Sequence, residues 1–114
     1  MNMSINEFVA LWPAAKAEAE IRLGHVRSFE ARIDVPLEEG YATAAAAANA
    51  AIDAATAAGD ALAAAEGDTL DAADAWIRFC MLSEQAAAAC DKASRVAPTH
   101  LLVQAWWFLS DMVD

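Results

Sequence analysis

At 114 residues and a net charge of −10, the chain is sized for one domain, residues 1–114, with a modest core and no need of metal or disulfide staples. Its apolar fraction of 59% overstates that core, because much of it is alanine, which buries little area. The charge weighs against direct binding to nucleic acid, whose affinity comes from lysine and arginine, and it is concentrated: residues 35–77 hold eight acids and no base.

The first eight residues lack a basic region and include Glu7, so no secretory signal is expected. Ser4-Ile5-Asn6-Glu7 is a capping box that opens the first helix. Apolar residues then recur at helical steps, Phe8, Trp12, Ala15, Ala19, Val26, Phe29 and Ile33, with Arg22 as the break in the row. Pro13 predicts a kink or a break, and Gly24 weakens the helix further on. Residues 28–35 also alternate apolar and polar in the manner of a strand. A lone strand has nothing to pair with inside the chain, so helix to about Asp34 is favoured, with pairing to a second chain as the alternative.

Asp34-Val35-Pro36 marks a boundary, and Glu38 and Glu39 suit the positive end of a second helix. That helix contains the stretch Ala42–Ala65, in which sixteen residues are alanine, the best intrinsic helix former. Its seam is Leu37, Tyr41, Ala45, Ala48, Ile52, Ala55, Gly59 and Leu62, a narrow row of mainly small residues. Thr43, Thr56 and Thr69 recur at thirteen residues, which does not return to one helix face as an eleven-residue repeat does, so the run reads as a packing seam. Gly59-Asp60 and Gly67-Asp68 are both stop-and-restart signals, the second the stronger.

The third helix is expected from about Asp68 to Arg95, with the seam Ala72, Trp76, Phe79, Ser83, Ala86, Cys90 and Ala93. Leu70, Ala73, Ile77 and Met81 widen its apolar face, and Lys92 and Arg95 suit its negative end. On one helix Cys80 and Cys90 stand about 15 Å apart, beyond disulfide reach, which points to reduced thiols and a cytoplasmic location. A disulfide between two chains is the alternative. Pro98 opens the last helix, whose core face is Leu101, Leu102, Ala105, Trp106, Leu109, Met112 and Val113. Val103, Trp107 and Phe108 fall on its other faces, so this helix is either central or buried at an interface. The apolar run Leu101–Leu109 is too short to span a membrane.

The expected fold is all-α, an antiparallel four-helix bundle with an Ala-rich second helix and no stable sheet. Such a bundle has difficulty burying Trp12, Trp76, Trp106 and Trp107 together, which makes the Trp107 and Phe108 face a surface for a homodimer or a partner.

Chemistry-bearing patterns are few. His25 and His100 are the two histidines, neither has a glutamate three residues before it, and the cysteines lack ligand spacing, so no metal or other cofactor is expected. Arg95-Val96-Ala97-Pro98-Thr99-His100 has the form Arg-x4-His. These six residues resemble the element of HEPN-type ribonucleases, which implies an arginine that steadies phosphate charge and a histidine for acid–base work. Val96 stands where those enzymes usually carry a polar residue. The structural reading of the same residues is a helix end at Arg95 and a helix start at His100. Asp71 with Asp74, and Glu38 with Glu39, are explained by their places near helix starts.

No catalytic residue and no small-molecule substrate is therefore expected. The chain reads as a non-enzymatic, acidic helical interaction module, homodimeric or docking on a protein partner through Val103, Trp107 and Phe108. A second reading is an acidic inhibitor or nucleic-acid mimic, a likeness of composition to small phage and mobile-element proteins, acting through Asp60, Asp68, Asp71 and Asp74. A HEPN-like ribonuclease is the third.

Overall fold

The computed structural model describes residues 5–32, 39–65 and 70–113, apart from the side chains of Ile5, Leu70, Asp111, Met112 and Val113. Four helices follow in order: α1 (Ile5–Ala31), α2 (Glu39–Ala64), α3 (Leu70–Arg95) and α4 (His100–Val113), with no strand among the described residues. Residues 28–31, ambiguous in sequence, are helical. Ser4, residues 33–38 and Gly67-Asp68, where the capping box, the first boundary and the second restart were expected, lie outside the described residues.

Side-chain pairs fix the helix directions. Trp12 and Lys16 of α1 meet Asp60 of α2, while Glu30 meets Tyr41, so α1 and α2 run in opposite senses. Ser110 near the end of α4 reaches Ala87 of α3, so after the short connection at 96–99 α4 folds back along α3, and Arg22 of α1 reaches Phe108.

The α2 seam is buried as its spacing predicts. Tyr41, Ala45, Ala48, Ile52, Ala55, Gly59 and Leu62 are all inaccessible, joined by Ala44 and Ala58. On α3, Ala72, Ser83, Ala86, Cys90 and Ala93 are buried, so two seams of small residues share the most extensive interface in the molecule. Small side chains permit close axes, and the remaining volume falls to larger residues.

Those residues divide by position because α4 is short. Its 14 residues cover about 21 Å, against about 40 Å for each of α1, α2 and α3. Where α4 is present, Leu102, Trp106 and Leu109 complete the core with Leu23 and Val26. At the other end the space is closed by rings. Phe8 stacks on Trp12 at 5.2 Å and meets Trp76 and Phe79 edge-on at 5.8 and 4.9 Å, with Trp12 to Phe79 at 5.5 Å. Aromatic pairs in this range add to the area they bury.

The structure corrects four local expectations. First, α1 continues through Pro13. The proline is exposed, as is Val9, whose carbonyl loses its helical partner to the missing N–H, so the interruption falls on an exposed side of the helix. Second, α2 continues through Gly59, which serves packing rather than termination. A Cβ at that position would overlap the indole of Trp12, with Cε2 at 2.9 Å. Third, Ala73, Ile77, Met81 and Leu101 are exposed, because each lies past the edge of the strip that its neighbours cover. Fourth, α4 begins after Pro98, since the Thr99 hydroxyl accepts the Leu102 N–H at 3.3 Å and acts as the cap.

Two glycines well inside the long helices, Gly24 and Gly59, give opposite expectations. Gly24 is exposed, and an added Cβ meets nothing within 4 Å. Gly24→Ala should raise stability by about 0.5–1 kcal/mol through helix propensity. Gly59→Ala should lower it by about 1–3 kcal/mol as the Trp12 ring is displaced. Urea denaturation of both variants beside the wild type measures the difference.

Candidate interaction surface on the fourth helix

The helix that carries Trp107 and Phe108 is held on three sides. Toward the core, Trp106 is fully buried, and its indole Nε1 donates to the Tyr41 hydroxyl at 3.1 Å. That hydroxyl donates in turn to Glu30 at 2.7 Å, so one chain of hydrogen bonds ties α4, α2 and α1 together. Burial, the largest influence, holds the Tyr41 phenol well above its ordinary pKa; the carboxylate of Glu30 acts in the same direction, against the indole donor. Toward α1, the Arg22 guanidinium donates to the Phe108 carbonyl at 2.7 Å and to Glu18 at 3.1 Å. Toward α3, the Ser110 hydroxyl donates to the Ala87 carbonyl at 3.3 Å.

With Leu102, Ala105, Trp106 and Leu109 directed inward, His100, Leu101, Trp107 and Phe108 face out. Trp107 is 50% exposed, Phe108 57% and Leu101 53%, while Val103 is half-buried. Trp107 and Phe108 stand about 100° apart around the axis, so α4 shows two apolar aspects rather than one patch. The Phe108 aspect borders a groove of about 350 Å³ between α1 and α4, lined by Glu18, Arg22, His25, Phe29, Leu101, Gln104, Ala105 and Phe108.

The acidic candidates lie elsewhere. Asp60 is level with Trp12 and Phe108 with Arg22, ten residues or about 15 Å apart along α1. The Asp60 carboxylate accepts Trp12 Nε1 at 2.8 Å and Lys16 Nζ at 3.0 and 3.1 Å. The Trp12 hydrogen bond first, and Lys16 second, hold its pKa below the usual value. Asp71 and Asp74 are exposed near the start of α3, and Asp68 lies outside the described residues.

Arg95 pairs with Asp91 at 2.9 Å at the end of α3, and His100 is the exposed first residue of α4. Cys80 and Cys90 are free thiols on α3, and burial pushes the Cys90 thiol up to about 12. Among the described residues, no group of three His, Cys, Asp or Glu side chains is placed to hold a metal ion. No described helix is long and apolar enough to cross a membrane.

Three of these features were hidden in the sequence. Lys16 and Glu30 lie on the inward stripe of α1 together with Phe8, Trp12, Ala19, Leu23 and Val26, whereas Ala15 is exposed. Arg22, the break in the apolar row, is the residue that reaches α4. The signal available was the charged residue itself, interrupting or bordering an apolar stripe. Comparison of the chain with protein-family models, with curated proteins and with solved structures found no match.

Tyr41 is the one tyrosine of the chain, so its ionisation is read directly from absorbance near 295 nm. Its folded pKa is raised, so the stability it contributes is complete below about pH 10 and is lost as pH rises toward the folded value. The native protein should show no phenolate at a pH where the urea-unfolded chain is half ionised, and alkaline unfolding should coincide with its appearance. Tyr41→Phe leaves the buried Trp106 N–H without its acceptor and should cost about 1–3 kcal/mol in the same denaturation measurement.

Proposed function

We propose that this chain is a non-enzymatic helical interaction module of the cytoplasm that docks on another protein through α4, with Trp107 as its anchor and Val103 beside it on the same aspect of the helix. The observation that carries this reading is the half-exposed Trp107 on a helix fastened to all three of its neighbours. A tryptophan on a rigid helix offers a large apolar surface with little conformational freedom left to lose on binding, the property that makes such residues dominate interface energies. Burial of Trp106 and the hydrogen bonds of Arg22 and Ser110 supply that rigidity. Cys80 and Cys90, ten residues apart on α3 and out of disulfide reach of one another, accord with the cytoplasm.

The acidic-mimic reading depends instead on carboxylates that a basic surface would engage. Asp60 is already occupied by Trp12 and Lys16, which weakens the charge that residues 35–77 present. Affinity capture from host extract, with wild type, Trp107→Ala and the triple variant Asp68→Asn, Asp71→Asn, Asp74→Asn as baits, separates the two. The docking reading expects Trp107→Ala to lose the proteins that wild type and the triple variant both retain, by tenfold or more. Loss with the triple variant or in high salt, with retention by Trp107→Ala, would replace it with the acidic mimic.

A further inference from the structure

We infer that the chain pairs with a second copy of itself along the groove between α1 and α4, the two α4 helices lying antiparallel with Leu101, Gln104 and Phe108 as the shared seam. The inference rests on the reading of α4 as a docking element but uses a different aspect of the helix, about 100° round from Trp107.

Spacing is the first argument. Leu101, Gln104 and Phe108 follow at steps of three and four, the narrow stripe of a two-helix contact, and all three line the groove. Leu101 and Phe108 are each more than half exposed, beside a floor that includes Phe29 and Ala105.

The stripe is also complementary to itself. A two-fold axis passing beside Gln104 sets Leu101 against Phe108 of the second copy, and Phe108 against its Leu101. The same axis brings the two Gln104 amides together. Each amide carries both a donor and an acceptor, so the pair can satisfy one another, and a single polar residue within an apolar seam selects one register. A face that matches itself in this way is what a two-fold dimer requires.

Charge argues for the same occupant. Two molecules of net charge −10 repel unless they meet on a neutral surface. The groove is such a surface: Glu18 and Arg22 are paired within it at 3.1 Å, and Arg22 spends a second N–H on the Phe108 carbonyl. None of the eight acids of residues 35–77 lines it. A strongly charged partner segment would find no unpaired counter-charge there, with His25 as the remaining titratable group on the rim.

Sedimentation equilibrium of the full chain, across the micromolar range, tests the pairing. The expected result is a monomer–dimer equilibrium that Leu101→Glu and Phe108→Glu each weaken by tenfold or more and that Trp107→Ala leaves unchanged, with native circular dichroism in every variant. In a Cys80→Ser background, Gln104→Cys should form a covalent dimer under mild oxidation and Trp107→Cys should not, which reads the register without removing either apolar side chain of the seam. A wild-type chain that stays monomeric throughout overturns the pairing, and the docking reading then stands or falls separately on capture by Trp107. A dimer that survives both glutamate variants, or that Trp107→Ala abolishes, places the contact elsewhere and overturns it equally.

Discussion

Close approach of α2 and α3 through small side chains is the constraint on which the rest of the structure depends. α2 buries alanine at 44, 45, 48, 55 and 58, α3 buries Ala72, Ala86, Cys90 and Ala93, and these two helices share the most extensive contact in the molecule. Such an interface gains less from each buried side chain than a leucine seam does, so the larger residues of α1, α3 and α4 become indispensable. They arrive in two groups. Trp106, Leu102 and Leu109 fill the end that α4 reaches, and Phe8, Trp12, Trp76 and Phe79 fill the end that it does not. Gly59 belongs to the same logic, since the indole of Trp12 occupies the place of its absent side chain.

Polar residues in the core and at its exposed edges fasten the helices to one another. Lys16 and Trp12 share Asp60, Tyr41 joins Glu30 to Trp106, and Arg22 holds the backbone of α4. Each places a donor opposite an acceptor on a different helix, and for the buried Trp106 and Tyr41 that pairing is the condition under which a polar group stabilises rather than costs. The fasteners are spread along the long axis, so the 51 Å rod is tied near both ends.

This arrangement has a consequence for the surface. A short fourth helix, seated on Trp106 and held at its flanks, cannot hide an apolar composition that runs nearly all the way round it. Leu101, Trp107 and Phe108 remain in water, where a single bundle of this length offers them no cover. The acidic charge sits mainly on other segments, which keeps the α4 surface close to neutral in an otherwise anionic molecule.

The helices, their order and their inward seams were legible in the sequence, because the 3.6-residue period and the propensity of alanine act within a few residues of each position. Tyr41, Ala45, Ala48, Ile52, Ala55 and Leu62 could be assigned to the core from spacing alone, and the same spacing put Trp107 and Phe108 off the core face of α4, where both are half-exposed. The tertiary structure alone decided the rest. Whether Gly59 ends a helix or admits a ring depends on Trp12, 47 residues away. Whether Asp60 is a free carboxylate or a clasp depends on Lys16, at |i−j| = 44. Ile77, Met81 and Leu101 follow apolar periods yet stand in water, since the width of a buried strip is set by where the neighbouring helix lies and how far it extends. Local chemistry determines that a helix forms and which way its stripe points; the contacts that give single residues their roles are made across the bundle, and no local period encodes them.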